Sequence, residues 1–282
     1  GQQMIRITSD STCDLGELVK KHGIALMPLK VILDTESFKD GVDIAPKDIF
    51  AFVAKTKMLP KTSAPSIEDF VEFFTRQLKD ADEVIHFTIS SKASASYSCA
   101  ATAAKEFGGR VRVVDSYALS SGQGLLVMKA IDLLGEGKSA AEIEETVNAL
   151  KEKVNTSFVP DRLDYLYKGG RCSKMEMYGA NILKIHPMID MKDGQLGVKK
   201  KFRGKMAVCI KSYVAELKAS YPKYDKRRCF ITHSNADPEL VELAKELVKA
   251  EFSFEEVVET VAGSVITGHC GRNTLGVLFI SE

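Results

Sequence analysis

EVIHFTISSKASASYSCAATAAKEFGGRVRVVDS, residues 83–116, decides the fold. Apolar and β-branched residues over 83–89 predict a strand, and the alanine-rich span 94–107 predicts a helix entered through a serine-rich turn. A second strand over 111–114 ends in Asp115 and Ser116. Strand, polar turn, helix and strand again is a unit whose crossover leaves the two strands parallel.

Working outward, the unit recurs. Residues 4–8 alternate apolar and polar, then break into TSDST, and residues 24–33 form another apolar, β-branched stretch. Pro46 stands at the permitted first turn of a helix running to residue 55. Ser66 and Asp69, three apart, read as a capping box that opens an amphipathic helix to residue 78. Helices are expected over 121–134 and 139–154, completing a parallel sheet wrapped by helices.

After Thr156 the pattern changes. Asp193 and Gly194 separate the stretches 186–191 and 195–201 as the turn of a hairpin, which requires antiparallel pairing. A helix over 205–219, a strand over 228–233, a helix over 238–249 and strands near 256–260 and 275–280 complete an α+β unit. The expected fold is therefore α/β: an N-terminal parallel-sheet domain, residues 1–155, and a C-terminal α+β domain with a mixed or antiparallel sheet, residues 156–282.

Lysine and arginine total 39 against 38 acidic residues, so bulk charge gives no support to a nucleic-acid partner. The six cysteines form no CxxC pair and no regular spacing, which argues for reduced thiols in a cytoplasmic protein rather than a zinc site or a disulfide framework. No apolar run approaches the roughly 20 residues that span a bilayer, and no charged-then-apolar leader precedes the first strand. Gly1, Gln2 and Gln3 read as an addition ahead of a native Met4.

Four polar runs fall where strands should end or helices begin: TSDST from Thr8, KTSAPS from Lys61, TISSKASASY from Thr88 and TGHCGRNTLG from Thr267. Open α/β sheets bind ligands at the carboxyl ends of their strands, and these runs are rich in donors suited to an anion. Thr62 and Ser63 precede Pro65, which holds the preceding residue extended, while Ser66 caps a helix. Such a turn presents hydroxyls and free N–H groups together, and it serves equally as a plain helix cap. The same two readings apply to Ser90, Ser91, Ser94 and Ser96. Lys168-Gly169-Gly170-Arg171 allows a sharp bend that aims a guanidinium inward to grip a carboxylate, or simply ends a helix beside a solvated arginine. His269 is expected in a glycine-flanked turn, 268–271, as a ligand contact or a structural hydrogen-bonder. None of His22, His86, His186 and His233 has a partner at metal-ligand spacing.

Taken in order, ITSDSTCDL, KTSAPS, ISSKASASY, VVDSYALSSGQG, LDYLYKGGR and TGHCGRNTLG resemble the successive motifs of the DegV family. The resemblance covers nearly the whole chain. It implies a two-domain α/β protein that holds a long-chain fatty acid between its domains, as the fatty-acid-binding subunit of bacterial fatty acid kinase. There a separate kinase subunit phosphorylates the acyl carboxylate, giving an acyl phosphate for phospholipid synthesis. By position in the motifs, Thr62, Ser94, Arg171 and His269 would hold the carboxylate. The ligand is the fatty acid itself, with no cofactor, no metal and no nucleic acid, and transient membrane contact is compatible with the role. The chain departs from the family pattern at Ala64 (commonly glutamine), Ala95-Ser96 (Gly-Thr), Gly268 (threonine) and Arg272-Asn273 (Pro-Gly), which bears on the shape of the site.

Phosphoryl transfer needs bound nucleotide phosphates, yet the sequence has no GxxxxGK[ST] run, no kinase Gly-rich loop and no paired acidic metal motif. A non-catalytic binding subunit is therefore expected. Two other readings are a stand-alone serine hydrolase or acyltransferase, with Ser94 as nucleophile and His269 as base but no GxSxG elbow, and a regulatory module for another amphipathic carboxylate.

Overall fold

The strand Ile5–Asp10 lies inside a four-stranded sheet, and every pairing in that sheet is parallel. The order is Ala25–Met27, Ile5–Asp10, Glu83–Thr88, Val111–Asp115. In this computed structural model, residues 3–170 and 184–282 are described. Both strands of the 83–116 unit are neighbours in register, Val84 opposite Val111 and Thr88 opposite Asp115. The protein is thus α/β, with a parallel sheet in its first half and antiparallel and mixed sheets elsewhere.

The helix Ile67–Gln77 starts as its sequence predicts. Ser66 Oγ accepts the Asp69 N–H at 3.0 Å, and Asp69 Oδ2 accepts the Ser66 N–H at 2.9 Å. Its buried face carries Phe70, Phe73 and Phe74, and all three rings pack edge-on around the His86 imidazole. Burying each ring stabilises the fold by about 1.5–3 kcal/mol. The helix Ser120–Gly135 is buried over most of its length, because Leu125, Leu126, Val127 and Met128 share one core with Ile7 and Leu15 and with Phe230, Leu278 and Ile280. A single helix therefore joins the two halves of the molecule.

In the second half a mixed sheet runs Val257–Val261, Cys229–His233, Leu275–Ile280, Val154–Asn155, backed by the helices Met206–Ser220 and Pro238–Glu251. The hairpin Ile185–Lys192 with Gln195–Arg203 pairs antiparallel around a two-residue turn. Asp193 (φ 51°) and Gly194 (φ 81°) both occupy the left-handed region, as a tight hairpin turn of this hand requires.

The structure resolves one stretch further and corrects two expectations. The apolar, β-branched stretch 24–33 forms two strands. Pro28 interrupts it, so Ala25–Met27 stays on the parallel sheet while Lys30–Leu33 leaves for a small antiparallel sheet with Glu36–Lys39 and Lys61–Ser63. The helix expected over 139–154 ends at Leu150, since Val154 is drawn into pairing with Ile280. The turn expected at 268–271 is the end of a helix, Ser264–Cys270. Gly268 is tolerated in it for close packing, because a Cβ there would sit 2.9 Å from Pro60 Cγ. Among the described residues no helix is long and apolar enough to cross a membrane.

Candidate functional site

Three of the four residues singled out in the sequence meet at one cavity. Thr62, Ser94 and His269 line the same space of about 190 Å³, together with Ser63, Ala64 and Ala95. Thr62 arrives on the short strand Lys61–Ser63, Ser94 in the turn after Glu83–Thr88, and His269 in the last turn of the Ser264–Cys270 helix. Thr62 Oγ1 lies 3.0 Å from His269 Nε2 across 207 residues of chain. Ser94 Oγ accepts the Ser96 N–H at 3.1 Å, so it acts as a turn acceptor, and a hydroxyl that accepts one bond keeps its hydrogen for donation. The fourth residue, Arg171, lies outside the described residues. It follows Gly170, which closes the helix Asp164–Gly169 with φ 66°, and Leu166 of that helix lines the cavity.

The rest of the wall is apolar: Leu29, Ile89, Leu119, Phe158, Leu196 and Ile266. Four residues, Leu119, Phe158, Ile266 and Cys270, also line a second, deeper space of about 30 Å³, enough for a water or two. These four form a neck. Beyond it the sequence looks polar, yet the structure turns most of the hydroxyls to protein partners, the buried Thr156 Oγ1 being the exception. Ser157 Oγ pairs with Tyr213 Oη at 2.7 Å, Thr274 Oγ1 donates to the Cys270 carbonyl at 2.9 Å, and Ser234 Oγ donates to the Gly271 carbonyl. The deep space is consequently a largely nonpolar extension of the cavity.

The serine-rich turn is fixed from below. Ser90 Oγ donates to the Gly194 carbonyl at 2.6 Å, which ties the hairpin tip to the turn and brings Leu196 over the cavity. Ser96 is fully buried and donates to Asp10 Oδ2 at 2.7 Å. Of the serines read as anion donors, Ser90 and Ser96 are thus structural, and Ser94 remains at the wall. The SYALSSG turn is also held in an uncommon conformation, with Ser120 at φ 53° and its hydroxyl donating to Asp14 Oδ2 at 2.6 Å. Burial pushes the Asp14 carboxyl up to about 8, against the lowering effect of the Ser120 hydroxyl and the Gly263 N–H, with nearby Asp40 adding to the rise. Burial likewise raises Asp40. The Cys13 thiol is pushed up to about 12, also by burial, which makes it inert as a nucleophile.

Sequence reasoning did not find the cavity wall, because its leucines, isoleucines and phenylalanine carry no mark separating them from core. It also missed Asp14 and Asp40. VVDSYALSSGQG held the available signal, since a run of Tyr, Ser and Gly between a strand and a helix marks a constrained turn.

An α/β protein with a largely apolar cavity, lined also by hydroxyls and an imidazole, has the geometry to hold a molecule with a polar head and an apolar body. The chain belongs to the DegV family, whose model, described as "Uncharacterised protein, DegV family", matches residues 4–282. It is 33% identical over 279 residues to a DegV domain-containing protein of Caldanaerobacter subterraneus subsp. tengcongensis, covering 98% of this chain and 99% of the relative. It is 32% identical over 282 residues to a protein of Thermotoga maritima named fatty acid-binding protein, with 96% of each chain covered. Among solved structures, a DegV family protein from Thermus thermophilus, reported for fatty acid binding, superposes with a TM-score of 0.90 at 30% identity, covering 99% of this chain and all of the other.

Proposed function

We propose that this chain binds a long-chain fatty acid between its two units, residues 1–155 and 156–282, and presents the carboxylate to a separate kinase subunit that forms the acyl phosphate. The observation that carries the reading is the convergence of Thr62, Ser94 and His269 at the polar end of an otherwise apolar cavity. In this reading the two hydroxyls and the imidazole donate to the carboxylate oxygens, and Arg171, placed by the family motif, offsets the charge. The tail follows Leu119, Phe158, Ile266 and Cys270 inward.

A tail of about fourteen methylenes gains on the order of 11 kcal/mol on leaving water, at roughly 0.8 kcal/mol each. That gain exceeds many estimates of association cost, so the polar end mainly sets orientation and prevents a buried, unpaired carboxylate. The protein acts as a cytoplasmic carrier in this reading and meets a membrane only transiently, to collect its ligand; the phosphoryl chemistry belongs to the partner. Solvent extraction and mass spectrometry of the native protein are expected to return one fatty acid per chain. A protein that carries no lipid and binds none of a fatty-acid series would end the proposal. Labelling of Ser94 by a fluorophosphonate would instead favour a serine hydrolase.

A further inference from the structure

The motif ITSDSTCDL, residues 7–15, contributes no side chain to the cavity wall, yet its polar groups reach three separate pieces of that wall. Asp10, fully buried, accepts the Ile89 N–H at 3.0 Å and the Ser96 hydroxyl at 2.7 Å through Oδ2, while Oδ1 lies 2.9 Å from His86 Nε2. These bonds hold both ends of the turn that carries Ser94. Ser11 Oγ accepts the Leu29 N–H at 3.1 Å and donates to Asp40 Oδ2 at 2.7 Å. Asp14 Oδ1 accepts the Gly263 N–H at 3.0 Å, and Asp40 Oδ1 accepts the Ser264 N–H at 3.1 Å. The last two bonds join the first half of the chain to the start of the His269 helix, across 249 and 224 residues.

We propose that Asp10, Asp14 and Asp40 are positioning residues for the carboxylate-binding end of the cavity. Asp10 sets the Ser94 turn, and the Asp14–Asp40 pair clasps the first peptide groups of the Ser264–Cys270 helix so that His269, at its other end, meets Thr62. Geometry at both ends of the helix supports the clasp. Both carboxyl groups are buried, at 6% and 4% exposure, and each of their four oxygens has a hydrogen-bond partner, two being backbone N–H groups at residues 263 and 264 and two the hydroxyls of Ser120 and Ser11. At residue 263 the fit is close, since a Cβ would stand 3.1 Å from Asp14 Oδ1 and 3.5 Å from Asp40 Oδ1, so that Asp14 would have to give way slightly. Further along, Gly268 seats on Pro60, which leads directly into the strand bearing Thr62.

The affinity arm of the test rests on the fatty-acid reading above; the spectroscopic arm does not. In the full chain, the His269 imidazole resonance is identified by its loss in His269→Gln. It is then followed in Asp14→Ala, Asp40→Ala, and the milder Ser120→Ala and Ser11→Ala, which each remove one supporting bond. The expected result is a displaced His269 resonance and about tenfold weaker fatty-acid binding in the alanine variants, as a binding-competent arrangement populated a tenth of the time would give. Asp14→Asn, which keeps an acceptor for Gly263, restores most of both. Val248→Ala, in the core of the second half, lowers the melting temperature and moves neither. The proposal is overturned if the aspartate or serine variants lose stability as Val248→Ala does while the His269 resonance and the affinity stay at their original values. Should Asp14→Ala not fold, the two serine variants decide by the same criteria. A protein that binds no fatty acid refutes the functional reading, and the imidazole signal still judges this one.

Discussion

The two ends of the Ser264–Cys270 helix differ in what they touch. Its first residues are buried against two carboxylates and a strained turn; its last present His269, half-buried, to a cavity. A seven-residue helix is too short to be stable on its own, so its placement has to come from tertiary contacts. The clasped end supplies them, and the presented end gains a fixed position, with His269 Nε2 3.0 Å from Thr62 Oγ1. The general lesson is that polar groups away from a cavity can determine its geometry as firmly as those on its wall.

The largest expected effect is on the clasped end, through pH. Asp14 keeps its proton in the folded protein up to about pH 8, whereas the unfolded chain releases it near 3.8. Between those values the folded state holds the extra proton, so stability is fullest at the acidic end and falls as pH rises through the window. The slope approaches about 1.4 kcal/mol per pH unit if no other group compensates. Thermal unfolding from pH 5 to 9 should show this decline in the original protein and a flatter profile in Asp14→Asn. A profile equally steep in both would remove Asp14 as its source.

A smaller effect is expected at the middle of the helix. Gly268→Leu must push the helix off Pro60, an overpacking that costs about 1–3 kcal/mol. It should weaken fatty-acid binding while Gly135→Leu, at a helix end with open space around it, does not. Equal affinities in isothermal titration would show that the helix is not held by that contact. The smallest effect belongs to the neck of the cavity. Phe158→Trp narrows the passage to the deep space, and the preferred acyl chain should shorten by one or two carbons, at about 0.8 kcal/mol per methylene no longer buried. An unchanged preference across a series of chain lengths would place the end of the tail elsewhere.

Much of the fold was legible because its signals are local. The capping box at Ser66, the Asp193-Gly194 hairpin and the strands around residues 83–116 follow from side-chain period and turn chemistry within a few residues. The family motifs carried Thr62, Ser94 and His269 to the site region. His269 was nevertheless expected in a loop, because glycines on both sides suggest a turn. Gly268 in fact marks close packing against a residue more than 200 positions away, and Gly271, at φ 77°, only ends the helix. Asp14 and Asp40 were invisible as a pair for the same reason.

The residues alone establish where most of the longer strands and helices lie, though not the Lys61–Ser63 strand or the Ser264–Cys270 helix, and that a set of small polar motifs recurs in a known family order. Only the tertiary structure decided which serines face the cavity and which bury their hydroxyls, where a histidine stands relative to a threonine 207 residues earlier, and which carboxylates hold them together. The physical reason is range. Backbone propensity and capping act over one or two turns, while the direction of a buried polar side chain depends on whichever partner the completed fold brings within about 3 Å.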